Sequence, residues 1–216
     1  MLGKWKNKFA KIFIPPAKCI GKILPPNAIT VLGFILGIFA ALSYANVPIP
    51  YIGFLFMFTW APIWFVVAVV MDALDGAAAR YYSKTSPFGG VLDSTLDRYV
   101  DAFFIIAMVY GGKVSITWGF AAIVTSYMIS YIRSRAEAAG AKMIGKGLME
   151  RAERLIIIFI ATVIAAWGGF INIPTWIQDN ILEWCAIIIT VLGTITVIQR
   201  LHASWRELKN PALSSK

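Results

Sequence analysis

Long uncharged runs alternate with short charged connections along this chain. No Asp, Glu, Lys or Arg occurs from Ile23 to Met71, from Val114 to Ile132 or from Leu155 to Gln178. A helix that crosses hydrocarbon needs roughly 20 apolar residues, so each run is about one span long and the first holds two. In "YANVPIPY", residues 44–51, Asn46, Pro48 and Pro50 break that first run, which predicts helices over 27–45 and 51–71. Further spans are predicted over 115–136, 149–170 and 180–204, the last including "ILEWCAIIITVLGTITVIQR". Between the spans over 51–71 and 115–136, the longest stretch free of charge is Ala102 to Gly112. That is roughly half a crossing, so the third span must begin near Gly89 or Gly90 and carry Asp93, Asp97 and Asp101 with it.

The pattern predicts an all-α integral membrane protein of six transmembrane helices. Composition agrees, with 59% hydrophobic and 14% charged residues, outside the range of ordinary soluble domains. Six spans place both termini on one side, and charge says which. Nineteen of the 20 lysines and arginines fall in the tails or the second and fourth connections, and Lys113 stands alone on the other face. By the positive-inside rule both termini and the aspartates are cytoplasmic, at the inner face of the cell membrane. The net charge of +9 is then a signal of topology and of anionic lipid, and it calls for no nucleic-acid partner.

Residues 1–24 place Leu2, Trp5, Phe9, Ile12 and Phe13 opposite a lysine face, which predicts an amphipathic helix lying in the membrane interface. The segment lacks the apolar centre and small-residue cleavage site of a signal peptide. The organisation expected is therefore an interfacial helix over 1–24, a six-helix transmembrane domain over 25–207 and a tail over 208–216. Cys19 and Cys185 are expected near opposite ends of the membrane, which suggests neither a disulfide nor a metal site.

The unexpected feature is five aspartates beside lipid-spanning runs: Asp72, Asp75, Asp93, Asp97 and Asp101. At about 100° per residue, Asp93, Asp97 and Asp101 fall within roughly 80° of one helix, and Asp72, Asp75, Gly76, Ala79 and Arg80 span roughly 140° of the preceding one. The short connection "YSKTSPF" keeps these faces close, which predicts four carboxylates around one cavity. Two unit charges about 4 Å apart repel by roughly 4 kcal/mol at an effective dielectric of 20, so a positive charge belongs among them. A salt-bridge network through Arg80 and Arg98 is one answer; intramembrane acids more often mark a functional site. Oxygen ligands without nearby His or Cys favour magnesium, manganese or calcium over zinc. Two such ions clamp a diphosphate well, Gly76 and Ala79 leave space on the same face, and Arg80 adds a phosphate donor.

Asp72, Asp75, Gly76, Ala79, Arg80, Gly89, Asp93 and Asp97 form an ungapped pattern that resembles the signature of the CDP-alcohol phosphotransferases. The resemblance implies transfer of a phosphoalcohol group from a CDP-linked lipid to an acceptor hydroxyl, with release of CMP. It implies that Asp72 and Asp93 bridge two divalent cations, magnesium before manganese, that Asp75 completes one site, and that Asp97 serves the other and acts as general base. It further implies a donor-binding set of Gly76, Ala79, Arg80 and Gly89, joined by Ser86 and by Asn27 and Thr30 of "PPNAIT". A helix cap or turn is the other use of these last three. A homodimer is implied too, with "GFILG" at 33–37 as a helix-packing face. Asp101 lies outside the signature and is kept out of the catalytic set.

For the acceptor, Arg133, Arg135, Arg151, Arg154 and Arg200 gather at the cytoplasmic ends of the last three spans. Guanidinium groups grip phosphate bidentately, which predicts a phosphorylated polyol, although the positive-inside bias also supplies basic residues there. "SYIRSRAEAAG" followed by "ERAERL" resembles the branch of synthases that use inositol 1-phosphate with CDP-diacylglycerol or CDP-archaeol. Glycerol 3-phosphate, as in phosphatidylglycerol-phosphate synthases, is the alternative acceptor. Outside the class, an ion-coupled transporter would place its acids near the midplane, and a prenyl-transferring enzyme would place aspartate motifs on well separated helices.

Overall fold

The computed structural model describes residues 3–143 and 145–209, with the backbone alone for residues 3–12. Among these residues the chain forms seven α-helices and no strand: α1 (Gly3–Ile23), α2 (Pro26–Tyr44), α3 (Ala61–Tyr81), α4 (Pro87–Tyr110), α5 (Ile116–Ala138), α6 (Arg151–Trp167) and α7 (Thr175–Lys209). The apolar face expected on α1 rests on side chains outside the described set from Leu2 to Ile12, and so does the C-terminal tail from residue 210 on. The helices fall into two compact units, Met1–Ala107 and Met108–Lys216.

Four stretches among the described residues are long and apolar enough to cross a membrane: Pro26–Tyr44, Phe58–Tyr81, Arg151–Ile171 and Thr175–Lys209. Large apolar side chains such as Val66, Ile106, Phe120, Ile156, Ile188 and Ile198 are exposed, as lipid contact requires. The chain is an all-helical membrane protein.

In the first unit, α1 and α2 both pack on α3. Ala17 of α1, Ile29 of α2 and Leu74, Ala77 and Ala78 of α3 form one buried cluster, flanked by Phe13, Ile20 and Met71. Small residues permit the close approach. A Cβ on Gly33 would meet Met71 Cβ at 3.4 Å, and one on Gly37 would lie 2.8 Å from Val100 Cγ2. "GFILG" is thus a helix-packing face used inside the chain, on α3 and α4.

Residues 51–60 depart from the expected helix over 51–71. They form two 3-10 turns, Gly53–Phe56 and Phe58–Trp60, and α3 begins only at Ala61 with Pro62 in its first turn. Proline fits there because its missing N–H has no partner in a first turn anyway. Aromatic contacts hold the non-helical segment instead. Phe39 meets Phe56 and Trp64 at ring distances of 5.4 and 5.5 Å, Trp64 Nε1 donates to the Leu55 carbonyl at 2.9 Å, and the Phe58 amide donates to Asn46 Oδ1 at 3.3 Å. Hydropathy alone does not distinguish an apolar turn from a helix.

In the second unit, α5 and α6 pack on the long α7. A Cβ on Gly193 would lie 2.5 Å from Thr125 Cγ2, which marks a close approach of α7 to α5. The Ser115 amide and hydroxyl both donate to the Glu183 carboxylate at 2.6 Å. The α5–α6 connection turns through Gly140, Gly145 and Gly147 at positive φ and ends in a reciprocal cap, in which Glu150 and Glu153 exchange side-chain and backbone bonds.

Candidate active site

Asp72 and Asp75 lie on successive turns of α3, and Asp93 lies two turns into α4. Each offers a carboxylate oxygen, and the three oxygens lie within 4.8 Å of one another. Asp72 and Asp93 are half-buried, while Asp75 is 5% exposed and its Oδ2 has no hydrogen-bond partner among the described residues. A buried carboxylate oxygen left without a partner is costly, and two like charges beside it raise the cost. A divalent cation relieves both penalties, and the donor set is all oxygen, as magnesium and manganese prefer. The residues therefore fit a divalent metal. Asp97, half-buried one turn beyond Asp93, lies outside this close group of three, and Asp101 is buried a further turn on.

Beside the carboxylates opens a cleft of about 190 Å3, lined by residues of α2, α3 and α4. All seven donor-binding candidates from the sequence, Asn27, Thr30, Gly76, Ala79, Arg80, Ser86 and Gly89, line it together with Asp75 and Asp93. Asn27 and Thr30 sit in the first turns of α2, where the Thr30 hydroxyl donates to the Pro26 carbonyl at 3.1 Å. Ser86 caps α4, its Oγ accepting the Gly89 amide at 3.0 Å. Capping and lining are both true of Ser86.

The glycines keep the cleft open. A Cβ on Gly89 would lie 3.0 Å from Ser86 Oγ and 3.1 Å from Asn27 Oδ1. A Cβ on Gly76 would come within 3.3 Å of Arg80 Nη1, because the exposed Arg80 side chain folds back over that position. Two polar wall residues escaped the sequence reading: Lys84 and Thr85. In the sequence Lys84 counts only toward topology; its place between Arg80 and Gly89 is the available signal.

The basic residues of the second unit form a different kind of site. Arg200 of α7 is 2% exposed and braces three segments. Its Nη1 donates to the Ile129 carbonyl of α5 at 2.7 Å, its Nε to the Lys146 carbonyl at 2.8 Å, and its Nη2 lies 3.6 Å from Glu150 Oε1. Arg133 and Arg154 are near enough to repel it electrostatically. Arg154 is buried, Arg151 half-buried, and Arg133 and Arg135 exposed, with Arg133 Nε 3.0 Å from Glu137 Oε1. Arg133 and Arg154, near the buried Arg200, form with it a cationic cluster that favours an anion.

Three carboxylates suited to a divalent cation thus stand beside a cleft that also carries the cations of Arg80 and Lys84, in an all-helical membrane protein. Residues 23–194 match the CDP-alcohol phosphatidyltransferase family, and the chain belongs to that family. Over 214 residues it is 35% identical to the archaetidylinositol phosphate synthase of Pyrococcus horikoshii, an alignment covering 97% of this chain and 99% of the relative. It is also similar to the crystal structure of Mycobacterium tuberculosis phosphatidylinositol phosphate synthase with CDP-DAG bound, at a TM-score of 0.73 and 28% identity, covering 90% of this chain and 94% of that one. A second crystal structure of that synthase, in complex with manganese and citrate, matches at a TM-score of 0.74 and 28% identity, covering 89% of this chain and 88% of that one.

Proposed function

We propose that this enzyme transfers the phosphatidyl-type group of CDP-diacylglycerol or CDP-archaeol to inositol 1-phosphate and releases CMP. The observation that carries the reading is the group of three carboxylate oxygens within 4.8 Å, one belonging to a buried aspartate, beside the cleft lined by Arg80. Similarity to inositol phosphate lipid synthases over nearly the full chain supports the acceptor.

Asp72, Asp75 and Asp93 hold divalent cations, with Asp97 completing a second site. When bound, the ions supply positive charge to the diphosphate and to the leaving CMP oxygen. Arg80 holds donor phosphate, and Gly76 and Gly89 let the nucleotide approach backbone. Asp97 accepts the proton of the acceptor hydroxyl as its oxygen attacks phosphorus and the bond from phosphorus to the CMP oxygen breaks. Arg133, Arg135, Arg151 and Arg154 bind the acceptor phosphate, and Arg200 contributes what donor capacity its bracing bonds leave. Helices α2 to α7 are the six spans, α1 lies in the interface, and the site and both termini face the cytoplasm. The enzyme works as a homodimer whose contact lies elsewhere than Gly33 and Gly37, since those pack within the chain.

The test is magnesium-dependent CMP release by purified protein with a CDP-linked lipid, comparing inositol 1-phosphate with glycerol 3-phosphate. Release with inositol 1-phosphate is expected. Preference for glycerol 3-phosphate would replace the acceptor, and no CMP with either from folded protein would overturn the reading.

A further inference from the structure

Lys84 lies outside the aspartate signature, yet it lines the cleft that holds Asp75, Arg80 and Asp93. The backbone puts it there. Ser83 adopts the left-handed conformation at φ 51°, the Ser83 amide bonds the Arg80 carbonyl at 3.3 Å, and the Lys84 amide bonds the Ala79 carbonyl at 2.9 Å. This turn folds the chain back over the end of α3, so that Lys84 follows Arg80 on the same wall. The ammonium is also held from one side. Lys84 Nζ lies 5.8 Å from the centre of the Tyr82 ring, within cation–π range. Tyr82 is itself fixed, since its hydroxyl donates to the Lys18 carbonyl of α1 at 2.9 Å and its ring fills the space a Cβ on Gly21 would need, 2.5 Å from Cε2.

Two cations on the wall of a cleft whose other end is acidic would repel each other when the cleft holds only water. An anion between them removes that repulsion. We propose that Lys84 is a second cationic contact to the diphosphate of the CDP-linked donor, and that Tyr82 is its positioning residue, tied to α1. The inference rests on the donor reading above and extends it to residues outside the family signature. Because an ammonium is a point charge on a flexible stem, Lys84 recognises phosphate charge rather than the shape of the base.

The test is binding rather than turnover. Affinity for CDP-diacylglycerol is measured on detergent-solubilised protein with magnesium present, for wild type, Lys84→Ala, Lys84→Arg and Tyr82→Leu, with CDP and cytidine as competitors. Lys84→Ala should weaken donor and CDP binding by about tenfold, as for loss of one charge-assisted hydrogen bond. Cytidine competition should not change, Lys84→Arg should restore most of the affinity, and Tyr82→Leu should lose a smaller part. Equal donor affinity in wild type and Lys84→Ala would overturn the inference while leaving the donor reading intact, and parallel loss of cytidine competition would assign Lys84 to the nucleoside instead. Wild type that binds no CDP-lipid would bring down the donor reading itself.

Discussion

The two halves of the chain carry opposite chemistry and assemble it in opposite ways. In the first unit, three acidic side chains from adjacent helices meet across a connection of five residues, 82–86, and the cleft beside them draws on α2, α3, that connection and the start of α4. In the second, Arg200 reaches 54 residues back to the Lys146 carbonyl and 71 back to Ile129. The acidic site tolerates an unpartnered buried oxygen, whereas the buried arginine has several of its donors matched to protein acceptors. An unmet group marks where an ion or ligand belongs; a matched one marks where the fold is held.

That contrast can be broken experimentally, most severely at the acids. Asp93→Asn should lower turnover by at least about 10³-fold and weaken manganese binding in titration calorimetry, because two carboxylates hold a divalent ion far less well than three. Unchanged manganese affinity would remove Asp93 from the metal site. Asp97→Asn should lose about 10²–10⁴-fold in kcat, the usual worth of a general base, while CDP-lipid affinity holds. Normal turnover in that variant would assign the proton to another group.

In the basic half, Arg133→Ala should raise the KM for the phosphorylated acceptor by about tenfold with the donor KM and thermal unfolding unchanged. Arg200→Met should instead cost about 2–4 kcal/mol in stability, since a buried and a half-buried carbonyl lose their donor at once. If Arg200→Met left the unfolding midpoint alone and raised only the acceptor KM, the bracing role would fail. The smallest effect separates two glycines of one motif. Gly37→Ala should cost about 1–3 kcal/mol, because its Cβ would be forced to within 2.8 Å of Val100, whereas Gly33→Ala at 3.4 Å from Met71 should cost little. Equal unfolding midpoints for the two variants would show that α2 has room to shift.

How much of this was legible in the sequence follows from the same contrast. The acidic site lies on two consecutive helices with a short turn, so helical periodicity alone places Asp72, Asp75 and Asp93 together. Ser86 and Pro87, an N-cap and a first-turn proline, explain why α4 starts two residues before the expected Gly89. The segment 51–60 failed because its apolar residues look the same whether they pack as a helix or as aromatic-stapled turns. The basic half was legible only as residue types at helix ends. Which arginine is braced and which is exposed depends on contacts dozens of residues apart, and no local pattern encodes them. Lys84 was missed for a subtler reason: the left-handed turn at Ser83 reverses the side of the chain it faces, and a serine gives little warning of that conformation.

The placement of the cleft beside the aspartates wholly within the first 107 residues bears on inheritance. On the proposed reading, a lineage can exchange one soluble alcohol for another by drift in the last three helices, with the nucleotide-binding half left intact. The aspartate spacing within each helix, by contrast, admits no intermediate: inserting or deleting one residue between Asp72 and Asp75, or between Asp93 and Asp97, rotates part of the set by about 100°. Selection should therefore hold the first half in register while it lets the second diversify.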